Sequence, residues 1–287
     1  SDLLIPNGDT KSKDYEKTRF LARPGHADLA AHCKYHGFED YRGGGHFSGR
    51  ITAALVSVGA IAISALNNRN ILIGTHIKKC AGIADAGFTD LQKDIICLNQ
   101  KTFAVLSDAA GVKMTAAIEA AAEKKDSVGG ILETAVIGVP AGVGEPWFDT
   151  LESVLSHGLF SIPAVKGVEF GAGFGFADMN GSEANDPIAQ NDGRTLTLTN
   201  NNGGVNGGIT NGMPILFRCA VKPTPSIAQP QQTVDLVSGE NTVIEIAGRH
   251  DPAIVHRARV VVDSVAALVL CDQLALRYGT DWLKGDA

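Results

Sequence analysis

The chain lacks an uninterrupted apolar run long enough to cross a bilayer. Its longest, ALVSVGAIAISAL at 54–66, falls short of the about 20 residues that a crossing takes, so no membrane partner is expected. It also lacks a basic excess. Twenty-five Lys and Arg against 31 Asp and Glu leave a net charge of −6, which argues against a protein built to hold the phosphate backbone of nucleic acid. One local cationic pocket stays compatible with that balance. No CxxC occurs, and the five cysteines, Cys33, Cys80, Cys97, Cys219 and Cys271, are odd in number and scattered. Reduced thiols and a cytoplasmic address are expected. Low-complexity tracts, charge blocks and clear linkers are missing as well. The opening SDLLIPNGDTKSKDYEK has neither an initiator Met nor the layout of a signal peptide, and reads as a chain entered partway through.

What is present is a chain of 287 residues with 44% hydrophobic and 20% charged residues, the composition of a globular protein with a sizeable core. A single domain over 1–287 is the preferred reading. The 33 glycines imply many tight turns and close backbone approaches. Ile51, Leu55, Val58, Ala62 and Leu66 recur at helical spacing, and Val56 and Ile63 make the other side apolar too, so this helix is expected to be buried all round. A second helix is expected over 114–130, stopping at Gly129 and Gly130 with lysines in its last turn, and a third from His256 to Arg277. Strand-like runs fill 70–77, 131–139, 194–199 and 215–222. In the last, Arg218 and Lys222 share a face. Grouped strands separated by single long helices favour an α+β layering over a βαβ array.

Four segments carry chemistry-bearing residues. In RPGHADLAAHCKYHGFEDYRGGGHFSGR at 23–50, His32, Cys33 and His36 have the spacing of two or three zinc ligands, but no second ligand pair appears to complete four. The other half, YRGGGHFSGR at 41–50, places glycines before a helix, where free N–H groups and the helix dipole favour an anion. Arg42 and Arg50 bracket that turn, and Ser48 is its N-cap or a donor to ligand. The spacing matches neither the P-loop nor the Rossmann fingerprint. NNNGGVNGGITNGMPI at 200–215 holds five glycines and five asparagines, a turn composition that also suits a flat ring against backbone. GRHDP at 248–252 sets Arg249, His250 and Asp251 before a helix, with Asp251 as N-cap in the plain reading. VKPTPSI at 221–227 and PAVKGVEFGAGFGF at 163–176 add Lys222 and Lys166 in loops.

RPGHAD at 23–28, YRGGGHFSGRITA at 41–53, GVPAGVGEP at 138–146, AVKGVEFGAGF at 164–174, NNNGGVNGGITNG at 200–212 and GRHDP, in this order, together resemble the chorismate synthase family. The resemblance covers essentially the whole chain and lacks the family's N-terminal Gly-Glu-Ser-His-Gly part, which implies an N-terminally truncated chain without turnover of its own. It implies a β-α-β sandwich, with a helical layer between antiparallel sheets, and a homotetramer. It implies a lyase that takes 5-enolpyruvylshikimate 3-phosphate to chorismate by 1,4-anti-elimination with reduced FMN. The flavin would be held by residues matching His46, Phe47, Ser48, Pro163, Ala164, Gly207, Lys222, Pro223, Thr224, Pro225, Ser226 and Arg249. Other members carry Arg-Ser-Ser where this chain has His46, Phe47 and Ser48. Arg23, Arg50 and Arg249 would bind substrate. His26 would act as acid toward the reduced flavin, Asp251 as base, and Ser48 would assist proton transfer. Some members also carry an NADPH-dependent flavin reductase activity, although nothing in this chain reads as a nicotinamide site. The alternative reading is a non-catalytic module that binds flavin or another anion.

Overall fold

The structure is a computed structural model that describes residues 18–191, 193–246 and 251–284. Its helices are α1 Asp28–Tyr35, α2 Thr52–Asn67, α3 Leu91–Leu98, α4 Asp108–Glu123, α5 Leu151–Phe160 and α6 Val255–Tyr278, with one further turn at Gly181–Ala184 and several 3-10 pieces. Its strands are β1 Leu72–Cys80, β2 Ile83–Ala84, β3 Gly130–Ile137, β4 Val165–Phe170, β5 Ile188–Asn191, β6 Arg194–Thr197, β7 Val205–Asn206, β8 Ile209–Thr210, β9 Ile215–Val221, β10 Gln231–Val234 and β11 Asn241–Ile244. Five strands form one sheet in the order β2-β1-β3-β9-β4, antiparallel throughout. The pairs β5-β6, β7-β8 and β10-β11 are separate two-stranded sheets. Helices with antiparallel sheets make the fold α+β, as expected.

Alternation along β1 sends successive side chains to opposite sheet faces. Thr75 donates to Asp263 of α6 at 2.5 Å and lies 2.7 Å from Thr134 of β3. The neighbouring Gly74 faces α3, where a Cβ would stand 2.9 Å from two Ile95 side-chain carbons. Both sides of β1 are therefore covered, which is why its interior is buried without alternation. On the α6 side the helix packs against α2, α5 and β1, and Val255, Val262, Ala266, Leu270 and Leu274 are buried with Phe217, Leu132 and Val136 in one continuous core. Burial pushes the Asp263 carboxyl up, against the pull of Arg259.

Both end points of one expected helix differ, for identifiable reasons. The 114–130 helix starts earlier, because the Ser107 side chain caps it by accepting from Ala110 N–H, and ends at Glu123, since Lys125 takes φ +56°. The lysines thus fall beyond its last turn. Gly130 opens β3 rather than stopping a helix, and a Cβ there would meet the Lys79 carbonyl at 2.5 Å.

Helix α2 is not buried all round. Only Gly59, Ala62 and Leu66 are buried, while Val58 and Ile61 are 53% and 72% exposed. Helix α6 covers one side of it, and among the described residues no layer covers the other. The helical segment Gly49–Asn67 is longer than the apolar run in the sequence, and its length and hydropathy would allow it to cross a membrane, with 17% of that window buried.

A Cβ on Gly59 would stand 2.2 Å from the Ser264 Cβ and 2.7 Å from its Cα. Glycine therefore sets the closeness of α2 and α6. Gly59→Ala should force the helices apart and cost about 1–3 kcal/mol by overpacking, offset in part by the about 1 kcal/mol that alanine gains in a helix. The urea midpoint should fall. A raised midpoint would show that the two helices separate freely.

Candidate functional site

The site is assembled at the end of β9. Val221 lies opposite both Gly130 of β3 and Val165 of β4, so the loop at 222–226 leaves the sheet between 127–129 and 163–164. Lys222 N–H donates to the Ala164 carbonyl at 3.0 Å. Ala164, which follows Pro163, takes φ +75°, a region costly for a residue with a Cβ. A Cβ on Gly129 would meet Pro223 Cδ at 3.0 Å, and Ser127 Oγ donates to the Thr224 carbonyl at 2.6 Å. Val128 N–H reaches the Pro252 carbonyl at 2.8 Å, bringing Asp251 to the same edge.

The loop at 23–28 docks on this edge. Gly25, at φ +71°, lies so close that a Cβ would stand 2.9 Å from the Pro225 Cβ. Its carbonyl accepts from Lys222 Nζ at 2.5 Å, and His26 Nε2 lies 2.7 Å from Ser226 Oγ. Arg23, His26, Lys222 and Ser226 are thereby gathered from positions some 200 residues apart. The Arg23 side chain is held side-on by Asp28, with Nε to Oδ2 at 2.7 Å and Nη2 to Oδ1 at 2.8 Å. Burial first, then the positive charges of Arg23 and Lys222, outweigh the opposing pull of Asp28 and lower the His26 pKa from 6.5 to about 4. At neutral pH His26 is an uncharged base. Burial opposes ionisation of Asp28, but its hydrogen bonds from Arg23 outweigh that and lower its pKa.

The glycine turn flanks this cluster. Arg42–Phe47 is a 3-10 helix, and a Cβ on Gly44 would stand 3.9 Å from both Arg23 Nη2 and the Ser48 Cβ. Ser48 caps the next turn by accepting from Arg50 N–H at 3.3 Å. The His46 and Phe47 rings lie 4.1 Å apart between centroids, tilted by 34°, and His46 Nε2 lies 3.3 Å from Tyr35 Oη on α1. Arg50 is exposed. The side chain of Arg42, and all of Arg249 and His250, lie outside the described residues.

Gly207 sits in the β7-β8 hairpin, which packs on another segment. A Cβ on Gly208 would meet the Glu145 carbonyl at 2.4 Å and Thr150 Cγ2 at 2.5 Å. Around Gly207 itself nothing stands within 4 Å of a would-be Cβ. Asp251 is not the N-cap of the following helix: α6 begins at Val255 with Ile254 before it. Its Oδ1 instead accepts from Ala253 N–H at 3.4 Å, and its Oδ2 pairs with Arg257 Nη1 at 2.8 Å. His32 and His36 do not share a helical face, since α1 ends at Tyr35 and His36 turns left-handed at φ 54°. His32 Nδ1 contacts Glu39 Oε1 at 2.8 Å, and the described residues contain no group of three or more His, Cys, Asp or Glu fit to hold a metal. Arg218 and Lys222, on one face of the expected strand, part company: Arg218 pairs with Glu169. Two participants escaped the sequence reading, Asp28 and Ser127. The only signal for Asp28 was its place in the first turn of a helix after Pro-Gly.

A family model described as chorismate synthase matches residues 2–275. The chorismate synthase of Chitinophaga pinensis is 47% identical over 274 residues, covering 96% of this chain and 73% of the relative. That of Korarchaeum cryptofilum is 45% identical over 273 residues, covering 95% and 75%. A crystal structure of chorismate synthase superposes with a TM-score of 0.72 at 29% identity, over 88% of this chain and 71% of the other.

The His26 shift has a stability consequence whose sign is fixed. Between about 4 and 6.5 the unfolded chain binds the proton that the folded site refuses, so stability is full above 6.5 and is lost as pH falls through that window. His256, lowered mainly by burial, adds a slope of the same sign. His26→Gln should flatten part of the decline in urea midpoint between pH 7 and pH 4.5. An unchanged decline would show that His26 titrates normally in the folded chain.

Proposed function

The chain belongs to the chorismate synthase family, a family of lyases, and from that premise we propose that it converts 5-enolpyruvylshikimate 3-phosphate to chorismate and phosphate by 1,4-anti-elimination with reduced FMN. That is the last common step of the shikimate pathway to aromatic amino acids. The observation that carries the reading is the convergence of Arg23 and Lys222 on the contact between His26 Nε2 and Ser226 Oγ at 2.7 Å. Two cations beside a suppressed acid make a place for a ligand with phosphate and carboxylate groups.

The residues present fit a flavin phosphate ester. Lys222 donates to a carbonyl rather than a carboxylate, so its charge is available to an anion, and Gly207 leaves open space on its outer side. Pro163, Ala164 and the loop from Lys222 to Ser226 would hold the group, with Ser48, Gly207 and Arg249 contributing and His46 and Phe47 nearer the edge. When bound, reduced FMN supplies electron density to the substrate as phosphate leaves. Arg23, Arg50 and Arg249 bind the substrate anions. With the ligand anions bound, His26 takes up a proton and delivers it as acid beside the Ser226 hydroxyl, and Ser48 assists proton transfer. Asp251 accepts a proton as base, its carboxylate kept in place by Arg257.

The continuous core supports reading residues 1–287 as a single domain, and the assembly is read as a cytoplasmic homotetramer with no nucleic-acid or membrane partner. Joined to the N-terminal part that the family resemblance implies, the chain should release phosphate and chorismate in equal amounts in an anaerobic assay with reduced FMN. Asp251→Asn should lower turnover by about 10²- to 10⁴-fold, while the melting temperature barely moves, since asparagine is nearly isosteric and the Arg257 side of the pair is exposed to solvent. Near-normal turnover would move the base elsewhere. FMN binding without any phosphate release would leave the chain a flavin-binding module.

A further inference from the structure

We propose that Asp28 is a positioning residue of this site: its carboxylate closes the 23–28 loop on itself, aims the Arg23 guanidinium and fixes His26 against Ser226. The proposal rests on the reading of Arg23 as a substrate ligand and His26 as the acid. Three N–H groups of one residue converge on this carboxylate: Arg23 N at 3.0 Å, Nε at 2.7 Å and Nη2 at 2.8 Å. The side-on fork leaves the guanidinium little rotational freedom, and both side chains are mostly buried, at 17% and 26% exposure.

Each point of the loop is thus tied down. Asp28 joins its ends, Lys222 holds its tip at the Gly25 carbonyl, and Ser226 meets its one ionisable ring. Inside it, His26 N–H donates to the Arg23 carbonyl at 3.2 Å, so a shift of Arg23 is passed to His26 through the backbone. The groups that face His26 are Arg23, Lys222, Asp28 and Ser226. Asp28 is the single anion among them. It therefore has two effects: it orients a cation and it keeps His26 from being surrounded by positive charge alone.

The test follows the His26 ring by NMR through a pH titration of the whole chain without ligand. Asp28→Asn keeps the shape and removes the charge, so His26 should titrate about one pH unit lower. Asp28→Glu should bring it back most of the way, and Arg23→Gln should move it up. An α1 residue with only a structural role predicts an unmoved His26 in folded Asp28→Asn, and that result overturns the proposal. Should Asp28→Asn fail to fold, an unmoved titration in Arg23→Gln overturns it equally. In the anaerobic assay Asp28→Asn should raise the KM for 5-enolpyruvylshikimate 3-phosphate about tenfold, with recovery in Asp28→Glu. An unchanged KM would remove the claim on Arg23. The titration needs no substrate, so failure of the proposed reaction and failure of the Asp28 coupling are read separately.

Discussion

The register of β9 against its two neighbours is the constraint on which the site depends. With Val221 opposite Gly130 on one side and Val165 on the other, the residues that follow β9 must emerge between the start of β3 and the start of β4. Antiparallel pairing then fixes which backbone groups meet: Lys222 finds Ala164, Pro223 lies on Gly129, and Thr224 is reached from Ser127. A slip of one residue would exchange the faces of the whole strand. Phe217, 1% exposed, would leave the core, and Lys222 would point away from Gly25.

That register is enforced on both faces. Beneath α6, Thr75, Thr134 and Asp263 form a buried polar contact. On the opposite face Glu169, Arg218, Glu133 and His76 are direct partners across four adjacent strands. Arg218 Nε meets Glu169 at 2.8 Å, and His76 places Nε2 3.0 Å from Glu133 and Nδ1 2.8 Å from Asp85. Asp85 in turn accepts from the N–H groups of Leu106 and Ser107, just where α4 is capped. Such a ladder adds little to stability over an apolar alternative, because the charges must be desolvated. Misregister, however, would leave buried carboxylates unpaired, which costs several kcal/mol. The ladder therefore discriminates between registers more than it strengthens one.

How much of this was legible in the sequence differs by element. The helices at 52–67 and 255–278 were readable because length and apolar density leave no other option, and the β9 strand because its period is clean. The shorter α1, α3 and α5, of eight to ten residues, gave too few turns to set a period. Gly129 and Gly130 read as a helix stop in the sequence, since nothing local distinguishes a C-cap glycine from one required by strand approach. The full burial expected of α2 failed for another reason: apolarity reports what a helix can pack against, not what covers it. Among site residues, the gathering of Arg23 and His26 with Lys222 and Ser226 came from the family resemblance. Spacing cannot encode a contact made across 200 residues. The bond from Arg23 to Asp28 was local, yet it depends on a turn through Gly25 at positive φ that the sequence permits without specifying.

The electrostatics of the cluster explain how an acidic chain can carry a local cationic pocket. Net charge is −6, but Glu133, Asp85, Asp28 and Glu169 are occupied by partners within the sheet and the 23–28 loop. What faces the Ser226 hydroxyl is governed by Arg23 and Lys222. Burial, with these cations added, holds the His26 pKa at about 4, so in the free site the ring is a base and not an acid. On the proposed reading, a phosphate-bearing ligand changes the balance, because an opposite charge within about 4–6 Å favours the protonated ring by 1–3 pH units. On that reading the cations that, with burial, suppress the acid in the free site would also draw in the anion that restores it. Acid catalysis is then available only in the loaded site, and Asp28 sets how far the free site lies from that threshold.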